Sequence, residues 1–284
     1  MINVLCYNCG SSQHEFYASE NGFNLVKCSQ CGLLYVNPRP SDEEIQESTK
    51  LGVHRGQHTV ESTGRFMSEK LASYSTILQD IYHTELIDKK RTWLDVGCGH
   101  GELMMALDRF SQGHVVAKGL EPNLHKVKAA SGRGLDVSYF DLSAHNQQYD
   151  VVSILNVYSH LISPPEFLLL LKRCMKVGGE LLLETGDTAN LLAREHDRPF
   201  LLPDHLSFTS EEVMRGLLEK SGFDVLSVHK YPALNLQFMK TRVLKELVKV
   251  VLPNRRSQIW TLYSQYRLSK KCKTDMYVRA RLRR

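Results

Sequence analysis

Residues 94–104, with the sequence LDVGCGHGELM, place three glycines within five positions directly after an apolar run. A strand that ends in a glycine-rich loop and continues into a helix is typical of the first unit of a parallel sheet covered by helices. Ligands of such sheets lie beyond the carboxyl ends of the strands. The segment therefore predicts an α/β fold with a ligand site at Gly97, Gly99 and Gly101.

The pattern after this segment favours one large sheet. Seven strand-like runs follow one another between Thr92 and the chain end, and helical segments separate most of them. Their sequences are WLDV, VVAKGLEP, DVSYFD, YDVVSILNV, GELLLETGD, FDVLSVHKY and DMYVRARLRR. Continuous apolar strands that alternate with helices predict a doubly wound, mostly parallel, seven-stranded sheet. Thr209 and Glu212 have the spacing of a capping box for a helix that runs to Lys220.

The N-terminal segment contains a separate signal, two C-x2-C pairs. The four cysteines are Cys6, Cys9, Cys28 and Cys31. This spacing is typical of a four-thiolate zinc site, and the intervening Asn21-Gly22 pair predicts a hairpin turn. A ribbon this short cannot bury enough apolar surface to fold alone, so we expect a metal to hold it. Four protein ligands occupy all coordination positions of a tetrahedral zinc ion, which predicts a structural rather than a catalytic role.

Charge is distributed unevenly along the chain. The last 50 residues contain 14 Lys and Arg but only two acidic residues, Glu246 and Asp275. Three interpretations remain open: a solvated helical face, an electrostatic guide for an anionic substrate or membrane surface, and RNA binding. The chain has no signal-like start and no apolar run long enough to cross a bilayer, so we expect a cytoplasmic protein.

These signals predict four regions. Residues 1–40 form a zinc ribbon, 41–60 a linker, 61–234 the ligand-binding core, and 235–284 a basic helical insertion followed by the last strand of the core sheet. The oligomeric state is not predicted.

The residues around the glycines discriminate between two ligand classes. The dinucleotide fingerprint is G-x-G-x-x-G, whereas this loop reads G-x-G-x-G and continues into Glu102. Asp95 and Glu102 would repel a pyrophosphate at the helix N-terminus. A ligand with an ammonium and a sulfonium group fits better, which favours S-adenosylmethionine (AdoMet) over NAD. Glu121, at the end of the second strand, can accept hydrogen bonds from ribose hydroxyls. Asp141 is either an adenine ligand or a solvated strand-end acid.

Four segments in this order resemble the class I AdoMet-dependent methyltransferases: LDVGCGHGELM, GLEPN, FDLSAHNQQYDVVSILNVYSHL and LKRCMKVGGELLLET. The N-terminal ribbon and PDHLSFTSEEVMRGLLEKSGF resemble a bacterial subgroup that acts on small molecules. The resemblance implies that Glu121 contacts the ribose and Asp141 with Leu142 the adenine. The remaining residues of the expected cofactor site are Asp95, Gly97, Cys98, Gly99, Gly101, Pro122 and Asn156. The subgroup's sugar C-methyltransferases carry a further large C-terminal domain, in place of which only a basic segment of about 50 residues follows here.

The reaction that this resemblance implies is methyl transfer to a small-molecule acceptor, on oxygen of a sugar or secondary metabolite. An anionic or carrier-linked acceptor is also compatible with the basic chain end. A hydroxyl acceptor needs a base, and the candidates are His160 and His205, with His196 nearby in the sequence. Two alternatives stay open: an RNA methyltransferase and an AdoMet-binding protein without catalytic activity.

Overall fold

The computed structural model describes residues 1–51, 53–54, 58–59, 66–196, 199–232 and 273–283. Among these residues, no helix combines the length and the apolar character needed to span a membrane. The basic helical insertion that the sequence predicts at 235–272 lies outside the described residues.

Strands and helices alternate as the sequence pattern indicates. The strands are β1 (His14–Glu20), β2 (Phe23–Cys28), β3 (Leu34–Val36), β4 (Val53–His54), β5 (His58–Thr59), β6 (Arg91–Val96), β7 (Val115–Glu121), β8 (Val137–Tyr139), β9 (Tyr149–Leu155), β10 (Met175–Gly186), β11 (Ser207–Phe208), β12 (Phe223–Tyr231) and β13 (Asp275–Leu282). The helices are α1 (Asp42–Leu51), α2 (Ser68–Tyr82), α3 (Glu85–Asp88), α4 (Glu102–Ser111), α5 (Leu124–Ser131), α6 (Pro164–Arg173) and α7 (Glu211–Lys220), with a short 3-10 turn at Tyr158–His160.

The central sheet has seven strands in the order β12-β13-β10-β9-β6-β7-β8. Its strands are parallel from β10 to β8, whereas β13 pairs antiparallel with both β10 and β12. The chain order reverses between β6 and β9, and this is the switch point at which ligands of open sheets bind. The predicted doubly wound, mostly parallel sheet is confirmed.

Apolar side chains of the central strands are buried on both faces of this sheet. Alternate residues of β9 divide between two clusters, with Val152 and Ile154 in one and Val151 and Leu155 in the other. Helices α6 and α7 cover the first face, and α2 and α4 cover the second. Burial on both faces explains why these strands are almost continuously apolar in sequence.

The N-terminal segment forms a second, smaller sheet in the order β1-β2-β3-β11. Its last strand comes from the core region: Ser207 and Phe208 of β11 pair with Tyr35 and Leu34 of β3. The ribbon is therefore joined by main-chain hydrogen bonds to the segment that directly follows His205.

Two local predictions differ from the structure. Helix α1 occupies the first half of the predicted linker 41–60. Helix α7 is capped by Ser210 rather than Thr209, because the Ser210 side chain accepts a hydrogen bond from the Val213 amide. Thr209 instead donates its hydroxyl to the carbonyl oxygen of Ser210. The domain boundaries stay a prediction.

Candidate cofactor and acceptor site

The glycine loop joins β6 to α4 and folds back onto the end of β7. Gly97, Gly99 and Gly101 all have positive φ angles, of 76°, 58° and 86°. The amides of Gly97 and Cys98 both donate to the carbonyl oxygen of Leu120, at 2.7 and 3.2 Å. Residues other than glycine rarely adopt these φ angles, so the backbone conformation itself requires the three glycines.

The surroundings of the three glycines differ. A Cβ atom on Gly97 would lie 2.5 Å from Val157 Cγ2, and one on Gly101 would collide with the side chain of Leu135. A Cβ atom on Gly99 would meet no heavy atom within 4 Å. Gly97 and Gly101 therefore allow close packing within the protein, and Gly99 leaves open space for a ligand.

Asp95 lies at the end of β6 with its side chain almost completely buried. Its carboxylate accepts a hydrogen bond of 2.6 Å from the Ser153 hydroxyl, which in turn accepts one of 2.8 Å from the Trp93 indole. Burial raises the pKa of Asp95 to about 7, although the Ser153 hydrogen bond opposes this shift. A carboxylate in this position is poorly solvated and is suited to a cationic partner.

Two further carboxylates are buried beside the glycine loop. Glu121 accepts hydrogen bonds from the Gly99 amide at 2.9 Å and the Asn123 amide at 3.0 Å. Glu102, the first residue of α4, accepts one from the Met67 amide at 3.1 Å. The loop is therefore surrounded by carboxylate oxygens, and this donor set fits a cationic ligand such as AdoMet and not a diphosphate.

The other predicted cofactor residues are arranged around the same strand ends. Asn156 follows β9 with a φ of 57° and an exposed side chain, and Pro122 follows Glu121. Burial, together with the charge of Asp95, raises the pKa of the Cys98 thiol far above its ordinary value, so this cysteine stays a thiol.

The predicted adenine-binding pair shows a different geometry. Leu142 is buried in the core cluster next to α6. Asp141 is exposed, and its carboxylate accepts hydrogen bonds from the Ser143 hydroxyl and the Ala144 amide. Asp141 therefore caps the turn that follows β8, and this hydrogen bonding lowers its pKa.

The two predicted base histidines lie side by side, with ring centroids 4.9 Å apart. Nδ1 of His205 donates to the Phe200 carbonyl at 3.0 Å, which leaves Nε2 as a hydrogen-bond acceptor. Nδ1 of His160 donates to the Asp204 carbonyl at 2.9 Å. Burial and the charge of His160 lower the pKa of His205 to about 4. Burial also lowers the pKa of His160, but the hydrogen bonds and charge of Asp204 outweigh it and raise that pKa overall.

His196, the third histidine near this segment, is buried among aromatic rings. It contacts Tyr17 of the ribbon and both Phe200 and Phe208, at centroid distances of 5.2 to 5.7 Å. Its place is therefore in the packing between the ribbon and the core.

A cavity of about 330 Å³ lies at the carboxyl ends of β9 and β10. Part of its wall belongs to the sheet and part to residues 188–196 and 199–208. Residues that line it include Asn156, Glu184, Phe200, His205, Phe208 and Asp275. Of the two histidines predicted as bases, His205 lines this cavity and His160 does not.

The four N-terminal cysteines come together in one cluster. Their sulfur atoms all lie within 4.8 Å of one another, and the Cys6–Cys31 and Cys9–Cys28 pairs are 3.5 Å apart. The amides of Gly10 and Gly32 donate to the carbonyl oxygens of Cys6 and Cys28, and both glycines have positive φ. Tetrahedral zinc with bonds of about 2.3 Å places its sulfurs about 3.8 Å apart, so the cluster has the size of such a site.

Three residues near the site were not predicted from the sequence. Glu184 lines the cavity and Ser153 positions Asp95. Burial raises the pKa of both Asp95 and Glu184, and the charge of Lys70 on α2 opposes that rise. The sequence pattern could have indicated Glu184, because this residue follows an apolar run near a strand end just as Asp95 and Glu121 do. No such pattern indicates Ser153 and Lys70, since only the register of the sheet and the packing of α2 bring them to the site.

The strand order, the antiparallel strand β13 and the acid-lined glycine loop together define a class I AdoMet-dependent methyltransferase fold. A family model described as a methyltransferase domain matches residues 64–228, more than half of the chain. The chain belongs to this methyltransferase family, which confirms the resemblance to the class I AdoMet-dependent methyltransferases.

The curated relatives differ in what their names describe. A tRNA U34 carboxymethyltransferase of Azotobacter vinelandii is 31% identical over 147 residues, which cover 47% of this chain and 45% of that protein. A ubiquinone biosynthesis O-methyltransferase of Roseobacter denitrificans is 27% identical over 149 residues, covering 46% and 59%. The chain thus spans about half the length of the curated relatives it matches.

Solved structures with the same fold include two with S-adenosylhomocysteine (AdoHcy) bound. A mycolic acid cyclopropane synthase has a TM-score of 0.54 at 15% identity and covers 74% of this chain and 83% of its own. A phosphoethanolamine N-methyltransferase of Haemonchus contortus has a TM-score of 0.53 at 15% identity and covers 75% and 52%. At this identity the likeness shows the fold alone.

Proposed function

We propose that this chain binds AdoMet over the glycine loop and transfers its methyl group to an oxygen atom of a small-molecule acceptor. The observation that carries the proposal is the cavity of about 330 Å³ at the carboxyl ends of β9 and β10, where β9 is the neighbour of the cofactor-binding strand β6. Its volume is at the lower end of the range of about 300–1,000 Å³ that is usual for small-molecule sites.

The chain's own residues would hold the cofactor through charge and shape. Asp95 would face the ammonium group, Glu121 the ribose hydroxyls, and Gly99 would allow the backbone to approach. Leu142 and the turn capped by Asp141 would lie at the adenine end, with Pro122 and Asn156 along the edge. When bound, AdoMet supplies an activated methyl group, so the protein's main contribution is alignment.

On the acceptor side, we infer that His205 receives a hydrogen bond from the acceptor hydroxyl at Nε2. His160 and Asp204 hold the adjoining segment and fix the orientation of the His205 ring. Glu184, Glu195 and Asp275 are acidic side chains among the described residues that line the cavity. This lining favours an uncharged acceptor group over the anionic one that the sequence left open.

A second candidate is methyl transfer to RNA. It is favoured by the relatives named tRNA U34 carboxymethyltransferase and by the basic residues between 235 and 284. Labelled AdoMet incubated with fractionated extract distinguishes the candidates. We expect label in a nuclease-resistant low-molecular-weight fraction, whereas nuclease-sensitive label would favour RNA. Tight AdoMet binding without label in any fraction would favour a non-catalytic protein.

We also propose that the cysteine cluster binds one structural zinc ion. Four sulfurs at these distances would repel one another as thiolates, and a divalent cation removes this repulsion. The ribbon then holds β3, and β3 holds β11 beside His205. In this arrangement the metal shapes the acceptor cavity without taking part in the reaction.

A further inference from the structure

Glu184 occupies the boundary between the cofactor site and the acceptor cavity. It is near the carboxyl end of β10, where it pairs in register with Leu155 of β9, the residue before Asn156. It also lines the cavity together with Asn156 and His205. The same cationic neighbour, Lys70, acts on both Glu184 and Asp95, and both carboxylates act on the Tyr74 hydroxyl. Glu184 and Asp95 therefore share the electrostatic influence of Lys70 and Tyr74, although β9 separates their strands.

We propose that Glu184 is a catalytic residue that ionises when AdoMet binds and receives the acceptor's proton when the methyl group leaves. This inference rests on the proposed function. His205, whose pKa is about 4, is well suited to orient a hydroxyl but is a poor final holder of its proton at neutral pH.

The electrostatic surroundings bring the pKa of Glu184 close to neutral pH, where its protonated and ionised forms are both populated. Burial, followed by the charge of Asp275 on β13, raises its pKa to about 7. Lys70 on α2, the backbone of Asn156 and the charge of His160 oppose that rise. Tyr74 and Tyr277 face the same carboxylate as neutral hydroxyls, because burial raises the pKa of each well above its ordinary value. A further positive charge nearby would favour the carboxylate form.

The proton and electron balance follows from this placement. The acceptor hydroxyl turns its single hydrogen from His205 Nε2 to the Glu184 carboxylate, both of which line the cavity. The proton then moves to Glu184 as the oxygen's electron pair forms the new C–O bond. The C–S bond breaks and its electron pair stays on sulfur as a neutral thioether. The site thereby loses one positive and one negative charge together. Because the positive charge disappears, the Glu184 carboxyl is more basic after transfer than before it, which retains the proton.

The test requires no knowledge of the acceptor, because AdoMet and AdoHcy differ in the charge on sulfur. Calorimetric titration of the full chain with each ligand, in two buffers of different ionisation enthalpy near pH 7, measures the protons released on binding. We expect AdoMet to release up to about half a proton more than AdoHcy. Asp95 faces the ammonium group that both ligands share, so its contribution largely cancels.

Variants assign this difference to one residue. In Glu184→Gln the difference should vanish, and Glu184→Asp should restore part of it. Glu166→Gln, a change at an exposed glutamate in the first turn of α6, should keep the wild-type difference. A difference that persists in Glu184→Gln overturns the proposal.

A second measurement covers the case in which Glu184→Gln does not fold. In the wild-type chain, the ratio of AdoMet to AdoHcy affinity should rise about tenfold between about pH 5.5 and 8.5, for a shift of about one pKa unit. A flat ratio would overturn the inference while leaving AdoMet binding intact. Absence of binding by either ligand would instead refute the proposed function.

Discussion

At the residue scale, Asp95 shows how the site's chemistry opposes folding. Burial raises its pKa from an ordinary 3.8 to about 7, so between these values the native state holds a proton that the unfolded chain has lost. The free energy of unfolding of the ligand-free protein therefore falls as pH rises through this window. A bound cation would remove this cost, which links stability to cofactor binding.

Asp95→Asn tests that link. We expect the variant to bind AdoMet poorly but to gain stability relative to wild type as pH rises from about 4 to 7, by up to about 4 kcal/mol. Urea denaturation of both ligand-free proteins across this pH range measures the difference. A difference that is constant with pH would contradict the account of Asp95.

Gly97 and Gly113 form a matched pair for testing the packing of the loop. Both have positive φ, 76° and 80°, but a Cβ atom at Gly97 meets Val157 whereas one at Gly113 meets nothing within 4 Å. Gly97→Ala should lower the free energy of unfolding by about 1–3 kcal/mol more than Gly113→Ala, because the backbone strain cancels and the steric conflict remains. Equal losses in urea denaturation would show that Val157 moves aside freely.

Glu121 has one structural role and one proposed role in ligand binding, and one substitution removes both. Its carboxylate holds the Gly99 and Asn123 amides, and in the proposal it also contacts the ribose. Glu121→Ala should weaken AdoMet binding by at least about tenfold, since a charge-assisted hydrogen bond contributes about 1.5–3 kcal/mol. Calorimetry measures the affinity. Unchanged affinity would remove Glu121 from the cofactor site, whatever the variant's stability.

Sequence patterns located the residues of this site whose roles depend on local position. Asp95, Glu121 and the three glycines occupy strand ends and a strand–helix loop that the hydrophobic pattern marks. The Trp93–Ser153–Asp95 hydrogen bonds could not be found in this way, because they depend on the pairing of β6 with β9, 58 residues apart in the case of Asp95 and Ser153.

At the scale of elements, β11 connects the ribbon to the cavity. The Val36 amide donates to the Leu206 carbonyl at 2.9 Å, and the Leu206 amide donates to the Ser159 carbonyl at 2.6 Å. Leu206, the residue that follows His205, is thus held by the ribbon through its carbonyl and by the core through its amide. We expect damage to the ribbon to loosen the acceptor side more than the cofactor side.

Cys28→Ser tests this expectation. Bound zinc should fall from about one ion per chain to nearly none, and the melting temperature should drop, because the metal supplies folding free energy to the ribbon. AdoMet affinity should change little, since β6 and β7 make the cofactor site. Cys174→Ala, a change at a buried core thiol, should retain the zinc. Full zinc content in Cys28→Ser would refute the site.

Element prediction succeeded for long apolar strands and failed at a short polar helix. Helix α1 has the sequence DEEIQESTKL, which lacks a wide apolar stripe and therefore resembles a linker in sequence. Its capping box was readable, however: the Ser41 amide donates to Glu44 Oε2, and the Glu44 amide donates to the Ser41 hydroxyl. The same reasoning placed the cap of α7 one residue early, because Thr209 and Ser210 are both suitable caps and only the backbone geometry selects one.

At the scale of the whole molecule, we propose that the seven-stranded sheet binds the cofactor. Residues 188–196 and 199–208 contribute much of the wall of the acceptor cavity, and the ribbon pairs with β11 at its side. The fold class followed from the alternation of strands and helices, whereas the insertion of β11 into the ribbon sheet did not. Two-residue strands carry almost no hydrophobic pattern, so their partners are fixed only by tertiary packing.

We infer that the buried carboxylates around the glycine loop select a cationic cofactor and exclude a diphosphate. The most direct measurement is a calorimetric titration of the purified full chain with AdoMet and, separately, with NAD. We predict saturable binding of AdoMet at one site per chain and no detectable heat of binding with NAD. Saturable binding of NAD, with no uptake of AdoMet, would contradict the account.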